Sequence, residues 1–116
     1  MINGFQIQTE PLNDYEQNTL LPVICTGLRT KVGEARAITN SAITKAMKGA
    51  GYILNEARVR KIINHIRVNG LVKRLIATSK GYYIATSRQE MEQYIDSLRG
   101  REQAIRAVRE SMEAQL

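Results

Sequence analysis

The longest regular pattern of apolar and polar positions lies in the middle of the chain. Four branched apolar residues there follow the i, i+3, i+4, i+7 spacing of a buried helical stripe: Val59, Ile62, Ile63 and Ile66. Asn55 precedes the stripe as a good N-cap residue, and Gly70 follows it as a residue that commonly ends helices. The pattern therefore predicts a helix that begins after Asn55 and ends before Gly70.

Two shorter helical patterns precede this one. Apolar residues cluster at helical spacing from about Asn18 to Lys31, and Pro22 is tolerable there if it falls within the first turn. A second helix is predicted over residues 41–48, with Thr39 or Asn40 as its N-cap. The chain is thus expected to place three helices before Gly70.

The period of the pattern changes after Gly70. Residues 73–77 and 82–85 are rich in strand formers, and residues 78–81 between them are turn residues, which indicates a β-hairpin. The short segment 37–39 fits either a minimal strand or a turn. Ser87 and Glu90 have the spacing of a capping box, so a last helix is predicted to start there and to run close to the C-terminus.

These elements divide the 116 residues into three parts. Residues 1–14 are polar, contain two helix breakers (Gly4 and Pro11) and are expected to form an extended N-terminal arm. Residues 15–87 hold the three helices and the hairpin, and residues 88–116 form the added C-terminal helix. The predicted fold class is mostly α with a small β-hairpin, an α+β fold.

Charge is distributed unevenly along the chain. The net charge is +6, but residues 29–80 carry +10, whereas residues 1–28 carry −3 and residues 81–116 carry −1. A positive field concentrated in one stretch attracts polyanions, because neutralising their phosphates releases condensed counterions. The charge pattern therefore favours nucleic acid as the partner.

Composition excludes several other classes of function. One cysteine (Cys25) and one histidine (His65) cannot make the four-ligand set of a structural zinc site, and no phosphate loop or paired acid and base residues are present. The first residues lack the charged and apolar regions of a signal peptide, and no apolar run approaches the roughly 20 residues that span a bilayer. We expect a cytoplasmic, non-catalytic protein with no metal, no cofactor, no small-molecule substrate and no membrane partner.

The central helix carries the candidate DNA-binding residues. Helical phase places Lys61 and Asn64 opposite the apolar stripe, flanked by Arg58, with Asn55 at the helix start. Arginine can bind guanine and asparagine can bind adenine with two hydrogen bonds each, so these four residues are predicted to read bases. Because the face is predicted to be exposed, replacing Arg58 or Lys61 by alanine is expected to weaken DNA binding without lowering thermal stability.

Other basic residues are assigned to the DNA backbone, since they lie on the flanks of this helix, on the preceding helix or in the hairpin. The predicted phosphate contacts are Arg60, Arg67, Lys45, Lys73 and Lys80. The competing interpretation is that these cations only solvate the exposed side of a core helix and protect a hairpin edge from aggregation.

The order of these pieces resembles the winged helix-turn-helix superfamily, and in particular the small winged-helix proteins of phages and prophages and the module of biotin-operon-type repressors. The matching segments are 43–47, 57–67 with Gly70, and the hairpin 79–84. The resemblance implies a winged helix with an added C-terminal helix. It also implies a sequence-specific double-stranded DNA-binding protein that serves transcriptional regulation or replication in a phage or bacterium.

A second function of another class is a protein–protein adaptor. Four apolar residues in the last helix recur every seven positions: Met91, Leu98, Ile105 and Met112. This stripe fits a homodimer seam, but the second heptad position is mixed, and packing onto the chain's own domain is the alternative.

Overall fold

The computed structural model describes residues 10–116 and is mostly helical with one small antiparallel sheet. The α+β fold class predicted from the sequence is therefore confirmed. The chain divides into two compact units, one up to Ala85 and one from Thr86 to Leu116. Most of the predicted N-terminal arm, residues 1–9, lies outside the described residues.

The first helix, α1, begins earlier than the sequence predicted. Asn13 and Glu16 form a reciprocal capping box: the Asn13 side chain accepts from the Glu16 amide at 2.9 Å, and the Glu16 carboxylate accepts from the Asn13 amide at 2.9 Å. The helical backbone starts at Asp14, runs through a π-helical segment Glu16–Leu20 and continues as an α-helix over Leu21–Leu28. The predicted start near Asn18 is wrong because this cap was not recognised.

Pro22 explains the π-helical segment. Proline has no amide hydrogen, and in a regular α-helix its ring collides with the carbonyl four residues earlier. Here the Leu21 amide bonds to the Glu16 carbonyl, five residues back, so the wider turn lies directly before the proline. The helix therefore continues through Pro22. The sequence pattern had favoured a position for Pro22 in the first turn, but the helical backbone already begins at Asp14.

The second and third helices agree with the predicted pattern. Helix α2 spans Asn40–Gly49, and its N-cap is Thr39, whose hydroxyl accepts from the Ala42 amide at 3.1 Å. Helix α3 spans Glu56–Asn69 and ends at Gly70 in the left-handed conformation, with φ 62°. All four residues of its apolar stripe are 0–1% exposed and form the centre of the core. Around them pack apolar residues of α1, of α2 and of the segments that follow: Leu20, Leu21, Ile24, Cys25, Leu28, Ile43, Met47, Leu54, Val72 and Leu75.

The hairpin consists of β1 (Leu75–Thr78) and β2 (Gly81–Ile84), joined by a two-residue loop. The other edge of β2 is bonded to the segment between α1 and α2: Ile38 and Tyr82 exchange two backbone hydrogen bonds of 2.8 and 3.0 Å, and the Ile84 amide bonds to the Lys31 carbonyl at 2.7 Å. The segment 37–39 is therefore a short strand-like bridge, in which Ile38 pairs with Tyr82. These bonds fix the hairpin to the helical body and cover an edge that would otherwise be open.

The second unit contains helix α4, which spans Arg88–Ala114. Its N-terminus is capped as predicted, because the Ser87 hydroxyl accepts from the Glu90 amide at 3.1 Å. The Glu90 carboxylate in turn accepts from the Thr86 amide at 2.8 Å. Within the described residues, no helix combines the length and the apolar composition that crossing a membrane requires.

Candidate nucleic-acid interface

Helix α3 exposes one polar strip along its length. Residues spaced four, four and three apart lie on the same side of a helix, and this spacing connects Glu56, Arg60, Asn64 and Arg67. The side chain of Arg60 is 49% exposed, and Asn64 and Arg67 are half-buried. Glu56, the acid on this strip, forms only a weak ion pair with Arg60, because the two charged groups are 3.9 Å apart. Arg60, Asn64 and Arg67 thus lie together on the outer strip of α3, and Arg60 is the most exposed of the three.

The other two cations of α3 are placed differently from the prediction. Lys61 is only 8% exposed, and its ammonium group lies 2.8 Å from the Glu16 carboxylate. Arg58 donates to the other oxygen of Glu16 at 2.9 Å and lies over the ring of Tyr15, 5.2 Å from the ring centroid. The expectation of a solvent-facing side chain is therefore wrong for Lys61, whereas Arg58 keeps 28% of its side chain exposed. Both residues belong to a cluster that joins α1 to α3.

Glu16 is the centre of that cluster. It is 2% exposed and accepts hydrogen bonds from Lys61, from Arg58 and from the Asn13 amide. Burial by itself raises the pKa of Glu16, but the hydrogen bonds from Lys61, from the Asn13 amide and from Arg58 together outweigh it and hold the pKa below its ordinary value. The carboxylate therefore stays ionised in the folded protein and neutralises part of the charge of α3.

The first turn of α3 is also held by polar contacts. The Asn55 side-chain oxygen accepts from the Arg58 amide at 2.8 Å, as expected of an N-cap. The Asn40 side chain donates to the Glu56 carbonyl at 3.2 Å and so connects the start of α2 to the start of α3. The Tyr15 hydroxyl accepts from the Ile53 amide at 3.0 Å, which ties α1 to the loop before α3. Asn55 thus has a structural task in addition to the base contact predicted for it.

Lys80 occupies the hairpin loop, as predicted, but it has an acidic partner. Its ammonium group lies 2.7 Å from Glu34 in a short 3-10 turn, Glu34–Arg36, and both side chains are more than half exposed. The hydrogen bond to Glu34 raises the pKa of Lys80. In solvent such a pair exchanges readily, so Lys80 remains accessible to an anion that competes with Glu34.

Two further predicted residues, Lys45 on α2 and Lys73 after α3, are exposed. Neither forms an ion pair with any residue between Glu10 and Leu116. The hairpin lies next to the start of α2, because residues of both elements line one polar cleft: Thr39, Asn40, Ala77, Thr78, Ser79, Gly81 and Tyr82. The start of α2 thus borders both the hairpin and the first turn of α3.

Sequence reasoning missed Glu16 as the partner of Arg58 and Lys61. Its spacing from Asn13 matches a capping box, so the cap was readable from the sequence. The ion pairs of Glu16 could not be predicted in this way, because Arg58 and Lys61 lie 42 and 45 positions further along the chain.

No protein-family model, curated protein or solved structure matches the chain. The functional proposal therefore depends on the geometry of the described residues and on their chemistry.

Proposed function

We propose that the protein is a winged helix-turn-helix protein that binds double-stranded DNA without catalysing a reaction. In this proposal α3 is the recognition helix and the β1–β2 hairpin is the wing. The order of elements supports it, since a helix, a strand-like bridge, two further helices and a hairpin follow one another in one compact unit. The resemblance favours a role in transcriptional regulation or replication in a phage or bacterium.

The observation that supports DNA binding most is the outer strip of α3. An α-helix with its side chains is about 10–12 Å wide, which fits the B-DNA major groove of about 12 Å. Arg60 and Arg67 have the fork of donors that matches guanine, and Asn64 has the donor and acceptor that match adenine. Arg58 and Lys61 are paired with Glu16, and the Asn55 side chain caps α3. We therefore keep Asn64 as a base reader and assign the other base contacts to Arg60 and Arg67.

Phosphate contacts are assigned to exposed lysines outside α3. Lys45 lies on the helix before the recognition helix, which in helix-turn-helix complexes crosses the DNA backbone. Lys73 follows α3, and Lys80 lies in the hairpin loop, where a DNA phosphate would replace Glu34 as its partner. Cations at these positions supply affinity without sequence preference.

A salt titration of duplex binding, followed by fluorescence anisotropy, tests the proposal. Affinity for a labelled duplex is expected to fall steeply as salt rises. Replacing Arg60 by alanine should cost about 1–3 kcal/mol in binding, and replacing Lys45 should reduce the logarithmic salt slope by about 1. Arg99→Ala is the matched control, because Arg99 is an exposed arginine of α4 whose ion-pair partner is Asp96, at 3.3 Å.

Two results would contradict the proposal. One is the absence of salt-dependent duplex binding by a protein whose circular dichroism shows it to be folded. The other is equal loss of affinity in Arg60→Ala and Arg99→Ala, which would mean that charge alone, and not the strip on α3, determines binding. The first result would favour the adaptor function.

A further inference from the structure

Helix α4 carries an exposed apolar stripe from Ile95 to Met112. Every residue from Ile95 to Leu116 is exposed, including five large apolar side chains that are 39–69% exposed: Ile95, Leu98, Ile105, Val108 and Met112. The opposite side of the helix is charged and is satisfied by ion pairs within the helix, such as Arg88–Glu92 at 2.7 Å and Arg106–Glu110 at 2.9 Å. The helix is therefore amphipathic, with its polar side already paired.

We propose that this stripe binds the stripe of a second copy of the chain, and that the two α4 helices run antiparallel. The first core position of the heptad holds Leu98, Ile105 and Met112, and the second holds Arg101, Val108 and Gln115. Arg101 determines the orientation. In a parallel pair each residue of the seam meets its own copy, so two Arg101 guanidinium groups would meet inside an apolar seam, which is strongly unfavourable.

An antiparallel pair removes this repulsion. The two seam positions then face each other, and a register centred between Ile105 and Val108 places Ile105 against the partner's Val108. Arg101 then lies beside the partner's Met112, where its apolar stem packs and its guanidinium reaches solvent. The helices overlap over residues 99–114, about 16 residues or roughly 24 Å at 1.5 Å per residue.

Charges and sizes at the edges of the seam agree with this register. Along one edge Glu102 faces the partner's Arg109, and by symmetry Arg109 faces the partner's Glu102. On the other edge Ala104 faces the partner's Ser111, and these small side chains allow the helices to approach closely. In a parallel pair Glu102 and Arg109 would instead face Ser97 and Ala104 of the partner, without complementarity.

Charge reversal tests both the dimer and its orientation. Sedimentation of the full chain over a concentration series is expected to show a dimer. Glu102→Arg and Arg109→Glu should each weaken it about tenfold, because two favourable contacts become repulsive. A mixture of the two variants should recover the dimer, since one chain then carries two arginines at these edge positions and the other two glutamates. The double variant should recover it as well.

Arg106→Glu is the matched control for Arg109→Glu. Both changes remove an ion pair with the glutamate four residues later, at 2.9 and 2.6 Å respectively. Arg109→Glu also removes a weaker contact with Glu110 at 4.0 Å, and Arg106 differs from Arg109 in lying on the charged side. This control should dimerise like the wild type. The proposal is overturned if the wild type is monomeric up to its solubility limit, or if the mixture does not recover the dimer. None of these measurements involves DNA, so their failure leaves the DNA-binding proposal untouched.

Discussion

Replacing Lys61 by methionine distinguishes a structural lysine from a DNA-reading one. Methionine keeps most of the apolar stem of lysine but removes the ammonium group that lies 2.8 Å from Glu16. Glu16 would remain buried and ionised with one fewer donor. We expect Lys61→Met to destabilise the protein, contrary to the prediction made from helical phase.

The magnitude of this loss can be bounded from the surroundings of the pair. Removing one partner of a fully buried ion pair costs about 3–5 kcal/mol. Here Lys61 retains 10% side-chain exposure, and Glu16 keeps its bonds to Arg58 and to the Asn13 amide, so we expect about 2–3 kcal/mol. For a domain of this size that loss lowers the melting temperature by roughly 10–20 °C.

The assay is urea unfolding at neutral pH followed by circular dichroism. The matched control is Arg60→Met on the same helix, whose partner Glu56 is 3.9 Å away and half exposed; its cost should stay below about 0.5 kcal/mol. Equal stability of Lys61→Met and the wild type would refute the assignment of Lys61 to the cluster with Glu16. A control as unstable as Lys61→Met would show that the loss is not specific to Glu16.

Two further predictions concern the same compact unit. The pKa of Glu16 is lower in the folded state than its ordinary value of 4.5. The ionised carboxylate therefore contributes its full share of stability above about pH 4.5, and this share is lost as the pH falls through the pKa of the folded state. The stability difference between the wild type and Glu16→Gln should therefore shrink below about pH 4.5 in an unfolding series, and a constant difference down to pH 3 would contradict this. Gly81→Ala should cost about 2 kcal/mol or more in the same assay, because φ is +119° and an added Cβ would lie 2.5 Å from the Ile38 backbone. Gly100→Ala, in a helix and with no atom within 4 Å, is its control and should raise thermal stability slightly.

The sequence predicted those parts of the fold that depend on nearby residues. Helix α3 could be predicted because its core stripe, its N-cap and its terminal glycine all lie within one stretch, from Asn55 to Gly70. The hairpin could be predicted from its turn residues, and the start of α4 could be predicted from the spacing of Ser87 and Glu90. In each case the deciding contacts are local in the chain.

The errors concern contacts between residues that are distant in sequence. The phase of α3 indicates which side faces away from its own stripe, but it does not indicate that α1 covers part of that side with Glu16. Lys61 was therefore assigned to solvent although it is buried. The partner of Lys80 was missed for the same reason, because Glu34 reaches it only through the pairing of the 31–38 segment with β2.

We propose that double-stranded DNA binds along the outer strip of α3 and at the hairpin. An amide chemical-shift map of the ¹⁵N-labelled protein, titrated with a duplex, tests it most directly. We expect shifts concentrated at residues 60–67, at the hairpin loop 79–80 and around Lys45, with Arg99 and its neighbours unchanged. Shifts confined to α4, or no shifts at a duplex excess in low salt, would contradict it.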